Sequence, residues 1–311
     1  MSRIAFVFPG QGSQVVGMGK DLYDKFDLAK EIYAKADEIM DMPLSTISFE
    51  GPADLLTQTH ITQPALFVHS YILTRLIDDK IKADATAGHS LGEYTANVYA
   101  NSISFEEGLR LVKRRGILMK ESGNKRPGTM AAIIGLSEKQ IVEICEKASE
   151  HQIVQPANYN APGQTAISGD IDAVLRAMKI AKDSPFNSKL VKQLPVSGAF
   201  HSELMYSSAE ELRFAIDKVD FKNSSIPIYT NVEAEPVESK EILKNSLFRQ
   251  LISSVKWQTS VLNMINDFNV TTFYEIGSGK VLTGLIKRIN PKVELHNIGT
   301  VEDLKNHNLV S

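Results

Sequence analysis

Apolar residues in this chain form short continuous runs that alternate with longer amphipathic stretches. The first run, residues 3–8 (RIAFVF), is rich in β-branched and aromatic side chains and ends at Pro9-Gly10, which predicts a buried strand. Residues 28–40 and 105–121 carry apolar side chains at helical spacing and predict amphipathic helices. Strands that alternate with helices predict a mostly parallel sheet covered by helices on both faces.

The last third of the chain continues this alternation. A turn is expected near Ser253. Another turn is expected at 277–279, where two glycines interrupt the pattern. The predicted strands are 226–232 and 271–276, and the predicted helices are 247–257, 261–268 and 281–289.

The middle of the chain has an order of its own. Residues 121–128 (ESGNKRPG) are polar with Gly and Pro, which predicts a linker. After the linker the pattern predicts strand, helix, strand, strand, helix, strand, at 129–136, 137–150, 153–159, 164–169, 171–182 and 189–196. This βαββαβ order is that of a ferredoxin-like unit. We therefore expect a small ferredoxin-like subdomain at 126–196, inserted into a large α/β subdomain of residues 1–125 and 197–311.

A serine lies between glycines at the end of another predicted strand. Gly88, Ser90 and Gly92 form a G-x-S-x-G pattern between a predicted strand at 81–87 and a predicted helix at 91–100. This is the context of a nucleophile elbow, in which glycines allow a sharp turn that exposes the serine hydroxyl. The five-residue pattern alone does not separate a catalytic serine from an ordinary loop serine.

The first strand leads into a glycine-rich loop, Pro9-Gly10-Gln11-Gly12-Ser13-Gln14. The loop has neither the Gly-Lys-Ser/Thr ending of a phosphate-binding P-loop nor the G-x-G-x-x-G spacing. Two interpretations stay open: a plain strand-to-helix turn, or a turn whose backbone N–H groups bind an anion or form half of an oxyanion hole.

The helix predicted at 105–121 contains Lys113, Arg114 and Arg115. Lys113 and Arg114 are interpreted as a solvated face. Arg115 precedes Gly116, and a glycine within a helix indicates the close approach of another backbone. An arginine that points inward at this position would need an anion as its partner.

A catalytic serine needs a base, and histidine has the pKa best suited to neutral pH. His201 is the candidate because it follows the predicted return from the small subdomain, in a region where site residues collect. His89 adjoins Ser90 in the turn and is badly oriented to reach it. The other five histidines lie in no catalytic-looking context: His60, His69, His151, His296 and His307.

The order of Ser90 and His201 along the chain also carries information. An ordinary α/β-hydrolase has its acid between the serine and a late histidine, whereas 110 residues follow His201 here. The order argues against a simple esterase.

Composition narrows the class of protein. The chain has 311 residues, 43% of them apolar, and a formal net charge of −3, which suits a sizeable core and gives no support for nucleic-acid binding. The single cysteine, Cys145, excludes an internal disulfide and offers nothing for zinc, and its helical context predicts a core position. No apolar run is long enough for a bilayer and the start lacks a signal-peptide pattern, so we expect a cytoplasmic protein.

Taken together, the motifs resemble the malonyl-CoA:acyl-carrier-protein transacylases, the acyltransferases that load malonyl units in fatty-acid and polyketide synthesis. The matching segments follow the family's order and span nearly the whole chain. They are FPGQGSQ (8–14), TQPAL (62–66), GHSLGE (88–93), RRG (114–116), GTMAAIIGL (128–136), NYNAPGQ with ISG (158–169), SGAFHS (197–202), RQL with W (249–257) and EIGSGKVLTGLIKRI (275–289). One departure is Ser278, where many relatives have proline. The resemblance implies an α/β-hydrolase-like large subdomain.

The resemblance also assigns catalytic roles. It implies Ser90 as the nucleophile and His201 as general base and then acid, with backbone carbonyls, including that of Gln250, orienting the imidazole. It implies an oxyanion hole formed by the backbone amides of Gln11 and Leu91, a device that typically supplies about 3 kcal/mol for each donor.

Substrate-binding roles follow from the same resemblance. Arg115 matches the arginine that holds the malonyl carboxylate in a bidentate pair. Gln63 and Asn160 are implied as supporting polar residues of the site. Phe200 resembles the bulky residue of malonyl-selective members and is expected to exclude an α-methyl group, a discrimination of about 1–3 kcal/mol.

The implied reaction is a ping-pong transfer from malonyl-CoA to the phosphopantetheine thiol of acyl carrier protein through a malonyl-Ser90 ester. No tightly bound cofactor, metal, nucleic acid or membrane is expected, and the enzyme is expected to be a monomer. Lys287 and Arg288, at the end of the last strong helix, are candidates for docking the acidic carrier, or they are solvated charges favoured by the helix dipole.

Three alternatives remain open. The first is a trans-acting acyltransferase that loads a modular polyketide synthase, which would share every residue named above. The second is a thioester hydrolase, opposed by Arg115 and by the chain order. The third is a non-catalytic carrier-binding module, which an intact Ser90 and His201 oppose.

Overall fold

Two separate β-sheets organise the chain in the computed structural model, which describes residues 2–196 and 198–310. The strands are β1 Arg3–Phe8, β2 Ala85–Gly88, β3 Gly128–Ile134, β4 Val154–Ala161, β5 Gln164–Asp170, β6 Leu190–Gln193, β7 Ile228–Tyr229, β8 Pro236–Val237, β9 Val270–Ile276 and β10 Glu294–Ile298. The helices are α1 Lys20–Lys25, α2 Asp27–Met40, α3 Leu44–Glu50, α4 Ala53–Leu56, α5 Thr59–Ile77, α6 Gly92–Tyr99, α7 Phe105–Lys125, α8 Glu138–Ser149, α9 Ile171–Lys182, α10 Tyr206–Ile216, α11 Lys240–Gln250, α12 Trp257–Asn266, α13 Val281–Ile289 and α14 Val301–Asn306.

The larger sheet has six strands in the order β10-β9-β1-β2-β7-β8. All pairs are parallel except β7 with β8, which are antiparallel. Its central strand β1 is buried on both faces, because Phe6 and Phe8 enter one hydrophobic cluster while Ala5 and Val7 enter another. The continuous apolar run in the sequence is thus explained by a parallel sheet with helices on each side.

The smaller sheet has four antiparallel strands in the order β4-β5-β3-β6, with α8 and α9 packed on it. Its own core includes Ile133, Ile144, Ile167 and Val174. Cys145 is buried in this core, where the sequence predicts it. The order of elements confirms the ferredoxin-like unit, while the exact boundaries at 126 and 196 stay a proposal.

Backbone pairing joins the small sheet to the segment between α11 and α12. The N–H of Val255 donates to the carbonyl of Ala157 at 2.8 Å, and the N–H of Tyr159 donates to the carbonyl of Val255 at 2.9 Å. Ser254 Oγ adds a bond to the carbonyl of Pro156 at 2.6 Å. Strand β4 is therefore fixed against the segment between α11 and α12, and a cavity lies between the two sheets.

Several expectations from the sequence are wrong in detail. The linker expected at 121–128 is largely helical, because α7 continues to Lys125. The strand expected at 81–87 is β2, which begins only at Ala85, and the strand expected at 226–232 is reduced to β7. The turn expected near Ser253 is confirmed, but the stretch expected to be helical at 247–257 is helical only at its two ends, since α11 ends at Gln250 and α12 begins at Trp257. Among the residues described here, no helix is both long and apolar enough to span a membrane.

Candidate active site

Ser90 lies in a sharp turn between β2 and α6, as the G-x-S-x-G pattern predicts. Its φ of 51° is in the left-handed region of backbone conformation, which residues other than glycine rarely adopt. A Cβ on Gly88 would lie 1.9 Å from the main-chain carbon of Gly92, and a Cβ on Gly92 would lie 2.0 Å from the carbonyl oxygen of Phe8. Both glycines are required because the elbow packs backbone against backbone.

His201 contacts Ser90 from the loop that returns from the small sheet. Its Nε2 lies 2.8 Å from Ser90 Oγ, and its Nδ1 lies 2.8 Å from the main-chain carbonyl oxygen of Gln250. A carbonyl oxygen only accepts, so Nδ1 carries the proton and Nε2 is free to accept the serine proton. Burial and the nearby Arg115 lower the pKa of His201 to about 3, which keeps the imidazole neutral.

The SGAFHS segment carries His201 and Phe200, and its first residue, Ser197, lies outside the described residues. Phe200 is buried and lines the cavity. A Cβ on Gly198 would lie 2.5 Å from Phe200 Cε1, so the glycine allows the ring to fold back over the loop. The φ of His201 is 59°, so it shares with Ser90 a left-handed backbone conformation.

Arg115 points inward from α7 and is 1% exposed. Its Nη1 donates to Gln63 Oε1 at 2.7 Å, and its Nη2 donates to Ser90 Oγ at 2.9 Å and to Gln250 Oε1 at 2.8 Å. Its Cζ lies 5.5 Å from the centre of the Tyr94 ring. None of these partners is a carboxylate, and the Nε–H has no partner within the described chain. The guanidinium is a buried cation with donor capacity to spare.

Gly116 explains how Arg115 and Gln63 meet. A Cβ on Gly116 would lie 2.7 Å from the Cα of His60, so α7 and α5 approach each other backbone to backbone at this point. Gln63 follows His60 by about one turn of α5 and is buried. By contrast, the half-buried Arg114 pairs with Glu211 at 2.7 Å on the outer side of α7.

Gln250, at the end of α11, connects most of these groups. Its main-chain carbonyl orients His201, and its side-chain oxygen accepts from Arg115. Its Nε2 donates to the main-chain oxygen of Ser90 at 2.9 Å and to Glu93 Oε2 at 2.8 Å. The family resemblance implied the role of the carbonyl, but nothing in the sequence indicated the side-chain contacts.

Two further buried residues hold the elbow, and sequence reasoning missed both. Asn231 accepts the N–H of Ser90 on Oδ1 at 2.7 Å and donates from Nδ2 to the carbonyl of Gly88 at 2.6 Å. Glu93 accepts the N–H of Asn231 at 2.9 Å. Burial raises the pKa of Glu93 to about 7. The available signal was position: Asn231 follows the short strand β7 beside β2, and Glu93 is the last residue of GHSLGE.

Gln11 and Leu91 both line the cavity beside Ser90. Leu91 directly precedes α6, so its N–H belongs to the positive end of that helix. Within residues 2–196 and 198–310, neither N–H donates a hydrogen bond. Two unpaired donors that flank a nucleophile can bind an oxygen that gains negative charge.

The cavity has a volume of about 340 Å³ and lies between the two sheets. Asn160 lines it from β4. Its Oδ1 accepts a hydrogen bond from His89 Nε2 at 2.8 Å, and because an amide oxygen only accepts, His89 carries the proton on Nε2. His89 therefore faces Asn160 rather than the Ser90 hydroxyl. Gln63 and Met119 close the inner end beside Arg115, and Gln63 Nε2 lies 3.1 Å from the sulfur of Met119.

Lys287 and Arg288 do not line the cavity. They are exposed at the end of α13, whose first residues, including Leu282 and Leu285, form one wall of it. Arg288 Nη1 donates to Gln164 Oε1 at 3.3 Å, and Gln164 borders the cavity from β5. The two basic residues thus lie near the rim of the site, apart from the reacting groups.

Comparison with known proteins accounts for nearly the whole chain. The acyl transferase domain family matches residues 5–305. A malonyl CoA-acyl carrier protein transacylase of Bacillus subtilis is 42% identical over 307 residues, which are 98% of this chain and 96% of that protein. The solved structure of such a transacylase from Coxiella burnetii has a TM-score of 0.94 at 37% identity, covering 98% of this chain and 96% of the other. A malonyl-transacylase solved in complex with a type II PKS acyl-carrier protein has a TM-score of 0.93 at 36% identity, covering 98% of each chain.

Proposed function

The chain belongs to the acyl transferase domain family, and on this basis we propose that it transfers the malonyl group of malonyl-CoA to the phosphopantetheine thiol of acyl carrier protein. The transfer serves fatty-acid biosynthesis and proceeds through a malonyl ester of Ser90. Relatives of this name cover the chain almost from end to end, and the site has the groups that each half of the reaction needs.

In the first half-reaction Ser90 Oγ attacks the thioester carbon of malonyl-CoA while His201 Nε2 accepts the hydroxyl proton. The carbonyl oxygen becomes negative and is stabilised by the N–H groups of Gln11 and Leu91. When the C–S bond breaks, the imidazolium returns its proton to the coenzyme A sulfur, so coenzyme A leaves as the thiol. The result is a malonyl ester on Ser90 and a neutral His201.

The second half-reaction reverses these roles. His201 accepts the proton of the phosphopantetheine thiol, and the sulfur attacks the ester carbon of malonyl-Ser90. The same N–H groups stabilise the second oxyanion, and the proton passes to Ser90 Oγ as the C–O bond breaks. Because Nδ1 stays bonded to the Gln250 carbonyl throughout, the ring keeps one orientation in both directions.

The observation that carries the malonyl assignment is the distance of 2.9 Å between Arg115 Nη2 and Ser90 Oγ. In a malonyl group one carbon separates the thioester carbon from the carboxylate. An acyl carbon under attack by Ser90 therefore brings that carboxylate within reach of Arg115. The unpaired N–H groups of this buried cation favour an anion, and a planar guanidinium suits a bidentate carboxylate.

Phe200 and the cavity walls support selectivity among acyl groups. The buried ring borders the space beside His201, where a branched acyl group would need room. Gln63 and Asn160 line the same space and provide polar contacts to the bound acyl chain.

The proposal extends to the surroundings of the reaction. The two half-reactions need only the serine, the imidazole, the backbone donors and the arginine, so neither a metal nor a bound cofactor is assigned a step. We assign the enzyme to the cytoplasm as a monomer, with the acidic carrier docking near Lys287 and Arg288. A polyketide carrier is the second candidate recipient, favoured by the related transacylase that was solved with a type II PKS acyl-carrier protein.

The direct test is the intact mass of the protein after mixing with malonyl-CoA, for wild type and for Ser90→Ala, with and without acyl carrier protein. We expect wild type to gain one malonyl group and Ser90→Ala to gain none. Fatty-acid and polyketide carriers, tested separately, should remove the group onto their own thiols at rates that identify the preferred recipient. An adduct that decays to malonate at the same rate without any carrier would instead indicate a thioester hydrolase.

A further inference from the structure

Glu93 is a buried carboxyl group that the two half-reactions leave unused. It lies in the first turn of α6, three residues after Ser90, and its exposed fraction is 0%. Glu275 is the only other buried acidic residue in the part of the chain that the structure describes. Burial of an ionisable group is unfavourable unless hydrogen bonds compensate it, so the partners of Glu93 indicate what it does.

Both partners of Glu93 hold Ser90. Oε2 of Glu93 accepts the Nε2–H of Gln250 at 2.8 Å and the main-chain N–H of Asn231 at 2.9 Å. Gln250 Nε2 also donates to the Ser90 carbonyl, and Asn231 Oδ1 accepts the Ser90 N–H. Oε1 of Glu93 has no partner among the described residues. One oxygen atom therefore supports both contacts of the elbow.

Together with the Ser90 carbonyl, which also accepts from Gln250 Nε2, the carboxyl group of Glu93 determines which end of the Gln250 side chain faces Arg115. A carboxylate only accepts hydrogen bonds, so the NH₂ end of Gln250 is directed to Glu93 and Oε1 is directed to Arg115, at 2.8 Å from Nη2. A reversed amide would set its NH₂ group against the guanidinium, donor against donor. In its ionised form Glu93 also attracts the buried Arg115.

We propose that Glu93 is a positioning residue for malonyl selectivity: it fixes the side chain of Gln250 and, through it, the guanidinium of Arg115 in the geometry that receives a carboxylate. The inference rests on the proposed function, since it presumes that Arg115 binds the malonyl group. It adds that selectivity depends on a residue that touches neither the acyl group nor the reacting atoms.

The test compares two variants of Glu93 by the rate at which malonyl-CoA and acetyl-CoA acylate Ser90. Glu93→Met has a similar length but offers only a weakly accepting sulfur in place of the carboxyl oxygen, and we expect the malonyl-to-acetyl ratio of kcat/KM to fall about tenfold or more. Glu93→Gln keeps an oxygen that can accept from both donors, and its ratio should stay within about threefold of wild type. Rescue of selectivity by the amide identifies the accepting oxygen as the requirement.

Glu275→Gln is the matched control, because it neutralises the other buried carboxyl group. Glu275 accepts from the N–H groups of Leu282 and Thr283 at the start of α13 and contacts none of the groups that hold Arg115. Its malonyl-to-acetyl ratio should equal that of wild type.

If Glu93→Met does not fold, Gln250→Met replaces it. This variant removes the side-chain amide and keeps the backbone carbonyl that orients His201, and the same fall in the malonyl-to-acetyl ratio is expected.

Two results would overturn the inference. One is a folded Glu93→Met protein, or Gln250→Met in its place, whose ratio is unchanged. The other is a Glu93→Gln protein that loses selectivity as fully as Glu93→Met, which would mean that the charge matters and the accepting oxygen does not. Failure of the proposed function is recognised separately, because wild type itself would then form no malonyl ester.

Discussion

At the scale of single residues, the two reacting side chains both stand on strained backbone. Ser90 and His201 have φ values of 51° and 59°, a region that costs non-glycine residues of order 1 kcal/mol or more. The surrounding bonds maintain the strain: Asn231 holds the Ser90 N–H, and the Gln250 carbonyl holds the His201 ring. This backbone conformation directs Ser90 Oγ and His201 Nε2 toward each other, 2.8 Å apart.

Replacement of Arg115 is the sharpest residue-scale prediction. We expect Arg115→Ala to lower kcat/KM for malonyl-CoA by about 10- to 100-fold, because a charge-assisted pair typically contributes about 1.5–3 kcal/mol. Acetyl-CoA should lose less or gain, since its methyl group no longer faces a buried, unpaired cation. Acylation of Ser90, followed by intact mass with both donors, measures the change.

The neighbouring Arg114 provides the matched control for that substitution. It lies on the exposed side of α7 in an ion pair with Glu211, so Arg114→Ala removes one arginine from the same turn without entering the cavity. Its malonyl-to-acetyl preference should equal that of wild type. Equal preferences in Arg115→Ala and Arg114→Ala would refute the role of Arg115.

His69 provides a prediction about pH. Burial lowers its pKa to about 4, compared with about 6.5 in an unfolded chain. Between these values the unfolded chain binds more protons, so the contribution of His69 to stability is complete above pH 6.5 and declines as the pH falls toward 4. His69→Gln lacks this titration, and its side-chain NH₂ can still donate to the carbonyl of Gly299, which His69 Nε2 contacts at 3.0 Å.

The measurement for His69 is urea unfolding of wild type and His69→Gln at pH 7, 6 and 5. The free energy of unfolding of wild type relative to the variant should fall by about 1.4 kcal/mol per pH unit below pH 6. Two curves that stay parallel over this range would show that His69 is not buried as a neutral ring.

At the scale of elements, the sequence was most informative where local pattern and tertiary role coincide. The run at 3–8 is apolar on both faces because β1 is central, and the glycines at 88 and 92 are required by contacts within one turn. By contrast, the polar residues 121–125 were predicted as a linker, although they form the last turn of α7. A polar composition is shared by linkers and by exposed helix ends, so the pattern could not separate them.

The candidate site shows the same division. Ser90, His201 and Arg115 could be singled out because glycines or a chain return marked them. Asn231 and Glu93 could not, because their roles depend on partners distant in sequence: Asn231 contacts Ser90 across 141 positions, and Glu93 contacts Gln250 across 157. The short strand β7 gave little periodicity, since the chain leaves the sheet after two paired residues to reach the elbow.

At the scale of the whole molecule, the cavity of the candidate site lies between the large sheet and the small sheet, each of which packs on hydrophobic clusters of its own. The large sheet supplies Ser90, the loop after β1 and the helices that carry Arg115 and Gln250, while the small sheet supplies Asn160 and one wall of the cavity. The pairing of β4 with the segment around Val255 fixes one layer against the other. Helix α13 joins the cavity to the surface, because its buried face lines the cavity and its far end carries Lys287 and Arg288.

That arrangement leads to a prediction about carrier docking. Reversal of both charges, Lys287→Glu with Arg288→Glu, should raise the KM for acyl carrier protein about fivefold or more at low ionic strength, because an acidic carrier would meet repulsion near the rim. The effect should shrink in about 0.5 M salt, because screening by the salt then limits the interaction between charges to a few ångströms. Acylation by malonyl-CoA alone provides the reference rate, since it involves no carrier.

The control is the double variant Lys30→Glu with Lys35→Glu, which makes the same charge change on α2. These two lysines pair with Asp27 and Glu38 away from the cavity, so the variant should leave the carrier KM unaltered. An equal rise in KM for both double variants would mean that only net charge matters and that the carrier docks elsewhere.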